Sequence, residues 1–235
     1  MLEQLRQRLR ALEKPAGLKD GPGTLPLGIA AVDEVLGGGL ARGALHEIAA
    51  VSEAHLAAAT GFALELAARV QTHICWIAED MALAESGAPY GPGLDAFGLA
   101  PERLLTVCAA QPRNLLWAME EALRCRAVGV VIGEWRHGAI EVIALRRLSL
   151  AAAEIGALAL LLRASPADDA FPAATRWIVG AAPNNRLAAC LTRNRRGPAG
   201  SWILQWSDSD GRFLLATPAQ PVAAPAPDRP HRKVA

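Results

Sequence analysis

Several common protein classes are excluded by what this sequence does not contain. No stretch of its 235 residues approaches the roughly 18 uninterrupted apolar residues of a membrane-spanning helix. The richest apolar stretch, 151–162, is broken by Glu154. The four cysteines, Cys75, Cys108, Cys125 and Cys190, form no Cys-x-x-Cys pair, so zinc-ribbon spacing is absent. Residues 1–15 are charged and hold no apolar core of a secretion signal, and a reducing cytoplasm is the expected compartment. Lysine is scarce: of 24 basic residues only Lys14, Lys19 and Lys233 are lysine. Neither sign of charge dominates, with 24 bases against 23 acids, so any nucleic-acid surface has to be a local patch.

What is present reads as globular. The chain is 52% hydrophobic and 20% charged, with a mean hydropathy of +0.20, and its length suffices for a full core without staples. Leu2, Leu5, Leu9 and Leu12 recur at helical spacing with Arg6, Arg8 and Arg10 largely on the other side, which predicts a short helix ending before Pro15. Residues 17–26 read as a linker. A short helix over 29–36 is broken by Gly37, Gly38 and Gly39. Strands are predicted at 44–49, 73–78, 104–109, 128–132 and 157–162, with helices at 54–70, 113–126 and 140–155 between them. This alternation predicts an α/β fold with a largely parallel sheet flanked by helices. Cys75 and Cys108, inside apolar strand runs, are expected to be small buried thiols.

After Pro166 the texture changes to short runs at 177–180, 187–192, 202–206 and 213–215, separated by Gly, Pro, Asn and Asp. These predict an antiparallel C-terminal extension of the sheet, with 193–200 as an arginine-rich hairpin loop. From Pro218 five prolines lie among alanines, a composition that predicts disorder. The resulting organisation is 1–24 as helix and linker, 25–216 as the core, with 165–216 its antiparallel extension, and 217–235 as a tail.

The architecture prepares a nucleotide site without furnishing it. A phosphate-binding loop of the form Gly-x-x-x-x-Gly-Lys-Ser/Thr needs glycine backbone to wrap phosphates, a lysine for their oxygens and a hydroxyl for magnesium. After the strand holding Glu47 and Ile48, residues 49–57 read Ala-Ala-Val-Ser-Glu-Ala-His-Leu-Ala, with no Gly and no Lys. Glu53 sets a carboxylate where an anion would bind. Glu134, one place beyond the buried strand, is a poor metal ligand without those partners. His46, His55, His73, His137 and His231 form no His-x-x-x-His pair. Ser52 and Ser149 lack a nucleophile elbow. Glu79 and Asp80 lie at a strand end, where open α/β sheets place function, though a helix cap serves as well. No catalytic, cofactor-binding or metal-binding residue is singled out.

Residues 27–48, from Leu27-Gly28-Ile29 through the three glycines to His46-Glu47-Ile48, resemble the leading segment of RecA-type recombinase cores. Glu79 and the 128–133 run fall where that superfamily keeps an acidic residue and its metal-binding strand; the phosphate loop and the acid at Gly133 are lost. Together with Leu191-Thr-Arg-Asn-Arg-Arg-Gly-Pro-Ala-Gly-Ser-Trp202 and Gln205-Trp206, the chain over roughly residues 25–216 resembles the ImuA family. That resemblance implies a RecA- and SulA-like fold and a place in the DNA-damage (SOS) response. It implies action with an ImuB-type adaptor, similar to Y-family polymerases, and through it with an error-prone C-family polymerase in translesion synthesis. RecA and single-stranded DNA are further contacts to consider, and no membrane is implied. The expectation is a non-catalytic accessory protein; a SulA-like cell-division inhibitor and a degenerate DNA-stimulated ATPase using Glu79 or Glu134 are the alternatives.

The densest basic cluster is Arg193, Asn194, Arg195 and Arg196, with Arg186 nearby in sequence. Guanidinium forks there suit phosphate oxygens, and Trp202, with Trp177 and Trp206, suits base stacking. Solvated loop arginines and core tryptophans are the structural alternative, and Trp202 and Trp206 share one strand face by period two. The same residue types also anchor protein interfaces. Leu2, Leu5, Leu9 and Leu12 are candidates for helix docking.

Overall fold

The computed structural model describes residues 23–167 and 172–216. The leucine pattern of Leu2, Leu5, Leu9 and Leu12 and the proline-rich segment from 217 lie outside the described residues.

The chain enters through a small antiparallel pair, β1 (Thr24–Leu25) and β2 (Leu40–Ala41), joined through helix α1 (Ala30–Leu36). The end of the expected linker is therefore a strand. Leu25 and Leu27 are buried, and their burial ties this backbone to the core. The Asp33 carboxylate accepts the backbone N–H groups of Leu27 at 2.7 Å and Gly28 at 2.9 Å, setting the approach to α1. The glycine run has a steric reason: a Cβ on Gly39, at φ +123°, would lie 2.3 Å from the Leu25 carbonyl oxygen, so only glycine fits.

The main sheet contains β3 (Ala44–Ala50), β4 (His73–Glu79), β5 (Leu104–Ala109), β6 (Val128–Trp135), β7 (Leu158–Arg163), β8 (Thr175–Ala182), β9 (Arg186–Asn194), β10 (Gly200–Ser207) and β11 (Arg212–Leu215). Their order is β11-β10-β9-β8-β3-β7-β6-β4-β5. Pairings from β8 across to β5 are parallel; those from β8 out to β11 are antiparallel. The fold is thus α/β, with a mostly parallel sheet, flanking helices and antiparallel C-terminal strands. The central strands are apolar on both sides because helices cover both faces. Leu158, Leu160 and Leu162 of β7 point into one core, Ala159 and Leu161 into the other.

One face carries α1 and α2 (Leu56–Ala68), which follows a short 3-10 turn at Glu53–His55. Helix α2 is buried on nearly every side, as a helix apolar all round must be. Its outer side is covered by the chain around α3 (Asp80–Ser86) and α4 (Gly91–Ala96), two short helices beyond the sequence-based expectation. The Phe97 ring passes over Gly61, where a Cβ would sit 3.3 Å from it. The other face carries α5 (Pro112–Leu123) and α6 (Val142–Ile155).

An aromatic series fastens the antiparallel extension to the core. Trp177 lies 5.4 Å from Phe62 and 5.9 Å from Trp202, and Trp206 lies 4.7 Å from Phe97 and 5.1 Å from Phe213, between ring centroids. Cys75 is buried as expected, but Cys108 is exposed. It sits on β5, an edge of the sheet, where alternate side chains lack a covering layer. Among the described residues no helix is long and apolar enough to cross a membrane.

Candidate functional site

Two regions hold the residues singled out in the sequence, at opposite ends of the sheet. At the carboxyl ends of the parallel strands lie the 51–55 loop, Glu79 and Glu134. The Val51 N–H donates to the Val179 carbonyl at 3.0 Å, and the Ala181 N–H donates to His55 Nδ1 at 2.9 Å. This loop is therefore held against β8, with Glu53 exposed on it.

Glu134 falls inside β6 rather than beyond it, and is buried. Its Oε1 accepts Arg136 Nε at 2.8 Å and lies 2.6 Å from the guanidinium's Nη2. Arg136 also pairs with Glu85 at 3.2 Å and with the Ser86 hydroxyl. Glu79 meets His137 Nε2 at 2.6 Å, whereas Asp80 Oδ1 accepts the Met81 N–H at 2.7 Å at the start of α3. The two adjacent acids are thus separated: one serves a loop histidine and the other a local turn.

A group that the sequence reading did not single out lies inside the sheet. Glu47 of β3 is fully buried; Arg176 of β8 donates to its Oε2 at 2.5 Å, and Arg163 of β7 lies 3.6 Å from its Oε1. Arg163 also donates to the Gly138 carbonyl at 2.9 Å and Arg176 to that of Ala167 at 3.2 Å. The available signal was a single charge in each of three otherwise apolar strand runs. Buried charges persist when paired and hydrogen-bonded, and these join β3, β7 and β8.

Neighbouring His46 is buried too. Its Nε2 donates to the Ala41 carbonyl at 2.9 Å, so Nδ1 accepts the Thr175 hydroxyl at 2.7 Å. Burial lowers its pKa to about 4, which keeps the ring neutral.

The arginine hairpin joins β9 to β10 at the amino-terminal end of the parallel strands. Asn194 is its structural pin. Its amide donates to the Val35 carbonyl at 2.9 Å and the Pro198 carbonyl at 3.3 Å, and its Oδ1 accepts the Arg196 N–H at 3.0 Å. The Arg195 N–H donates to the Ala174 carbonyl at 3.0 Å. A Cβ on Gly197 would come 2.6 Å from the Val35 carbonyl oxygen, so loop and helix end meet backbone to backbone.

The hairpin presents the exposed residues Arg193, Arg195 and Arg196 on a fixed frame. Arg186 does not join them. It begins β9, seven residues from Arg193 and so about 23 Å away along an extended strand, where its Nε contacts Gln205 Oε1 at 3.4 Å. Trp202 is half-buried against Trp177 and the core. Its ring fills the space beside Gly200, where a Cβ would clash at 2.4 Å. That packing commits Trp202 to the core rather than to a free stacking platform.

No protein-family model matches this sequence, and no curated protein matches it. Among solved structures it is similar to the crystal structure of the RadB recombinase, with a TM-score of 0.62 and 14% identity, covering 83% of this chain and 100% of that one. Strand order, layering and this similarity agree on one conclusion: the chain has a RecA-like fold.

Proposed function

We propose that this chain is a non-catalytic RecA-like accessory protein of DNA-damage-induced mutagenesis. It assembles or regulates an error-prone translesion polymerase complex through an ImuB-type adaptor. The observation that carries this reading is a RecA-like core whose 51–57 segment has neither the glycines nor the lysine of a phosphate cradle. Glu53 there repels phosphate, and the Val51 N–H is already bonded to β8. A core without that chemistry retains its surfaces, and the most sharply defined is the Arg193/Arg195/Arg196 hairpin, locked to α1 through Asn194. Arginines on a loop backbone held in this way suit an acidic protein face or a phosphate backbone, since little loop freedom is lost on binding.

The test is co-purification of the chain with the ImuB-like adaptor of its own genome, beside an Arg193/Arg195/Arg196→Ala variant. A complex that the triple variant weakens supports the reading. Absence of a complex at micromolar concentrations, with binding to the division GTPase instead, replaces it by the SulA-like reading. DNA-stimulated ATP hydrolysis abolished by Glu79→Gln or Glu134→Gln overturns the non-catalytic part.

A further inference from the structure

Helix α6 carries more apolar surface than the core uses. Leu145, Leu148 and Ala152 are buried, and at about 100° per residue the opposite ridge is Ile143, Arg147, Leu150 and Glu154. Ile143 is 69% exposed and Leu150 67%. The charge between them is turned aside, because the Arg147 guanidinium meets Glu120 of α5 at 2.5 Å. Beside that ion pair Trp117 of α5, itself 62% exposed, lines a groove of about 440 Å³ with Leu116, Ala144 and Arg147. Single apolar side chains are ordinary on a surface, but these follow one seam between two helices.

The place where the chain enters supplies an occupant. The Arg42 N–H donates to the Gly23 carbonyl at 3.0 Å, and the Gly43 N–H donates to that of Ala157 at 2.9 Å. Ala157 follows closely on the last residue of α6, Ile155. Gly23 therefore stands beside the C-terminal end of α6, and residues 1–22 precede it. Residues 13–22 span up to about 33 Å when extended. The ridge of α6 is shorter, at about 21 Å, so residues 2–12 reach any part of it.

The two patterns match. Leu2 and Leu9, and likewise Leu5 and Leu12, are seven residues apart, as are Ile143 and Leu150, the spacing at which two helices interlock. Charge agrees with this. Arg10 and Lys14 lie toward the Gly23 end of the segment, and exposed Glu154 lies at the Gly23 end of the ridge.

We propose that residues 2–12 dock as a helix along α6 of the same molecule, with Leu2, Leu5, Leu9 and Leu12 against Ile143, Leu150 and Trp117. The charges set the two helices running the same way. The contact covers the seam and occupies the leucines, so a partner that takes either must displace the other. It is independent of the adaptor complex proposed above, which uses the arginine hairpin.

Amide hydrogen exchange of the full chain, read by mass spectrometry, tests the contact. Exchange in 2–12 is expected to be roughly tenfold or more slower than in an unstructured chain. Leu150→Glu places a good helix former at an exposed position. It is expected to bring 2–12 within about threefold of the unstructured rate, with exchange in β6 and β7 unchanged. Leu105→Glu, 57% exposed on the edge strand β5, is expected to leave the segment protected.

A second measurement reads the ridge itself. In Leu150→Cys the introduced thiol is expected to react with a maleimide roughly fivefold faster once Leu5→Ser and Leu9→Ser are added. Unprotected 2–12 in the native chain, protection that survives Leu150→Glu, or equal thiol reactivity overturns the proposal. Protection that grows with protein concentration overturns it in favour of docking on a second copy.

Discussion

At the scale of single residues, His46 couples the fold to acidity. Its pKa falls from an ordinary 6.5 to about 4 on burial, so the unfolded chain binds a proton between those values that the folded chain refuses. Its contribution is complete above pH 6.5 and is lost as pH falls toward 4, amounting to about 3 kcal/mol over that window. Urea unfolding at a series of pH values is expected to show this slope in the native chain and to lose much of it in His46→Gln. Glu65 acts in the opposite sense. Burial raises its pKa against the pull of the Arg69 guanidinium, so its contribution declines as pH rises from the ordinary carboxylate value through the raised one.

Thiol chemistry follows burial just as directly. Desolvation pushes the Cys75 thiol up to about 11, whereas Cys108 and Cys125 are exposed and Cys190 is half-buried. A thiol reagent at neutral pH is expected to modify Cys108 and Cys125 first and Cys190 more slowly, with Cys75 reacting only on unfolding. Mass spectrometry of a labelling time course checks the order. A fast-reacting Cys75 contradicts the packed second core.

At the scale of elements, the hairpin is held by contacts invisible in its own composition. Gly197→Ala forces a methyl against the Val35 carbonyl, and Asn194→Ala removes the donors to Val35 and Pro198. We expect losses of about 1–3 kcal/mol and about 1 kcal/mol respectively, read from denaturant midpoints. The exposed arginines behave differently: Arg193/Arg195/Arg196→Ala is expected to change stability by less than about 1 kcal/mol while weakening partner binding. That contrast separates the loop's frame from its proposed binding surface. Helix α2 depends likewise on its cover. Phe97→Ala uncovers Gly61 and loses the edge contact to Trp206, at about 2 kcal/mol for a half-buried ring.

At the scale of the whole molecule, the sheet joins two kinds of strand. Parallel strands buried on both faces form the centre, and antiparallel strands extend it beyond β8. The Glu47–Arg163–Arg176 group lies at the junction, spanning β7, β3 and β8. Glu47→Ala removes the carboxylate between buried Arg163 and half-buried Arg176, and we expect a loss of about 3–5 kcal/mol. Arg163→Met with Glu47→Leu tests whether the charge group itself is needed. A stable double variant would assign it to pairing specificity rather than net stabilisation.

Much of the architecture was legible locally. Runs such as 128–132 and 157–162 are too apolar to face water and too short for helices, and alternation with helical runs implies parallel pairing. The arginine hairpin was legible because Gly and Pro bound it. Helices α3 and α4 were not, because both are short and lie in Gly- and Pro-containing sequence whose helical signal is weak. Strand β1 was hidden for a related reason: two residues pair only because Leu40 and Ala41 are brought beside them.

By itself, then, the sequence determined the alternating α/β plan, the antiparallel end, the lack of a Gly-x-x-x-x-Gly-Lys-Ser/Thr motif after β3 and the existence of an arginine loop. Each depends on neighbours in the chain, through side-chain periodicity, turn chemistry or residue type. Tertiary structure alone decided that Arg186 lies far from Arg193, that Asn194 is a pin, that Trp202 is packed, and that Gly23 stands beside the end of α6. Those relations arise between residues distant in sequence. They exist only when a particular strand order closes the sheet, because burial and charge pairing act through space and local composition does not encode which strands become neighbours.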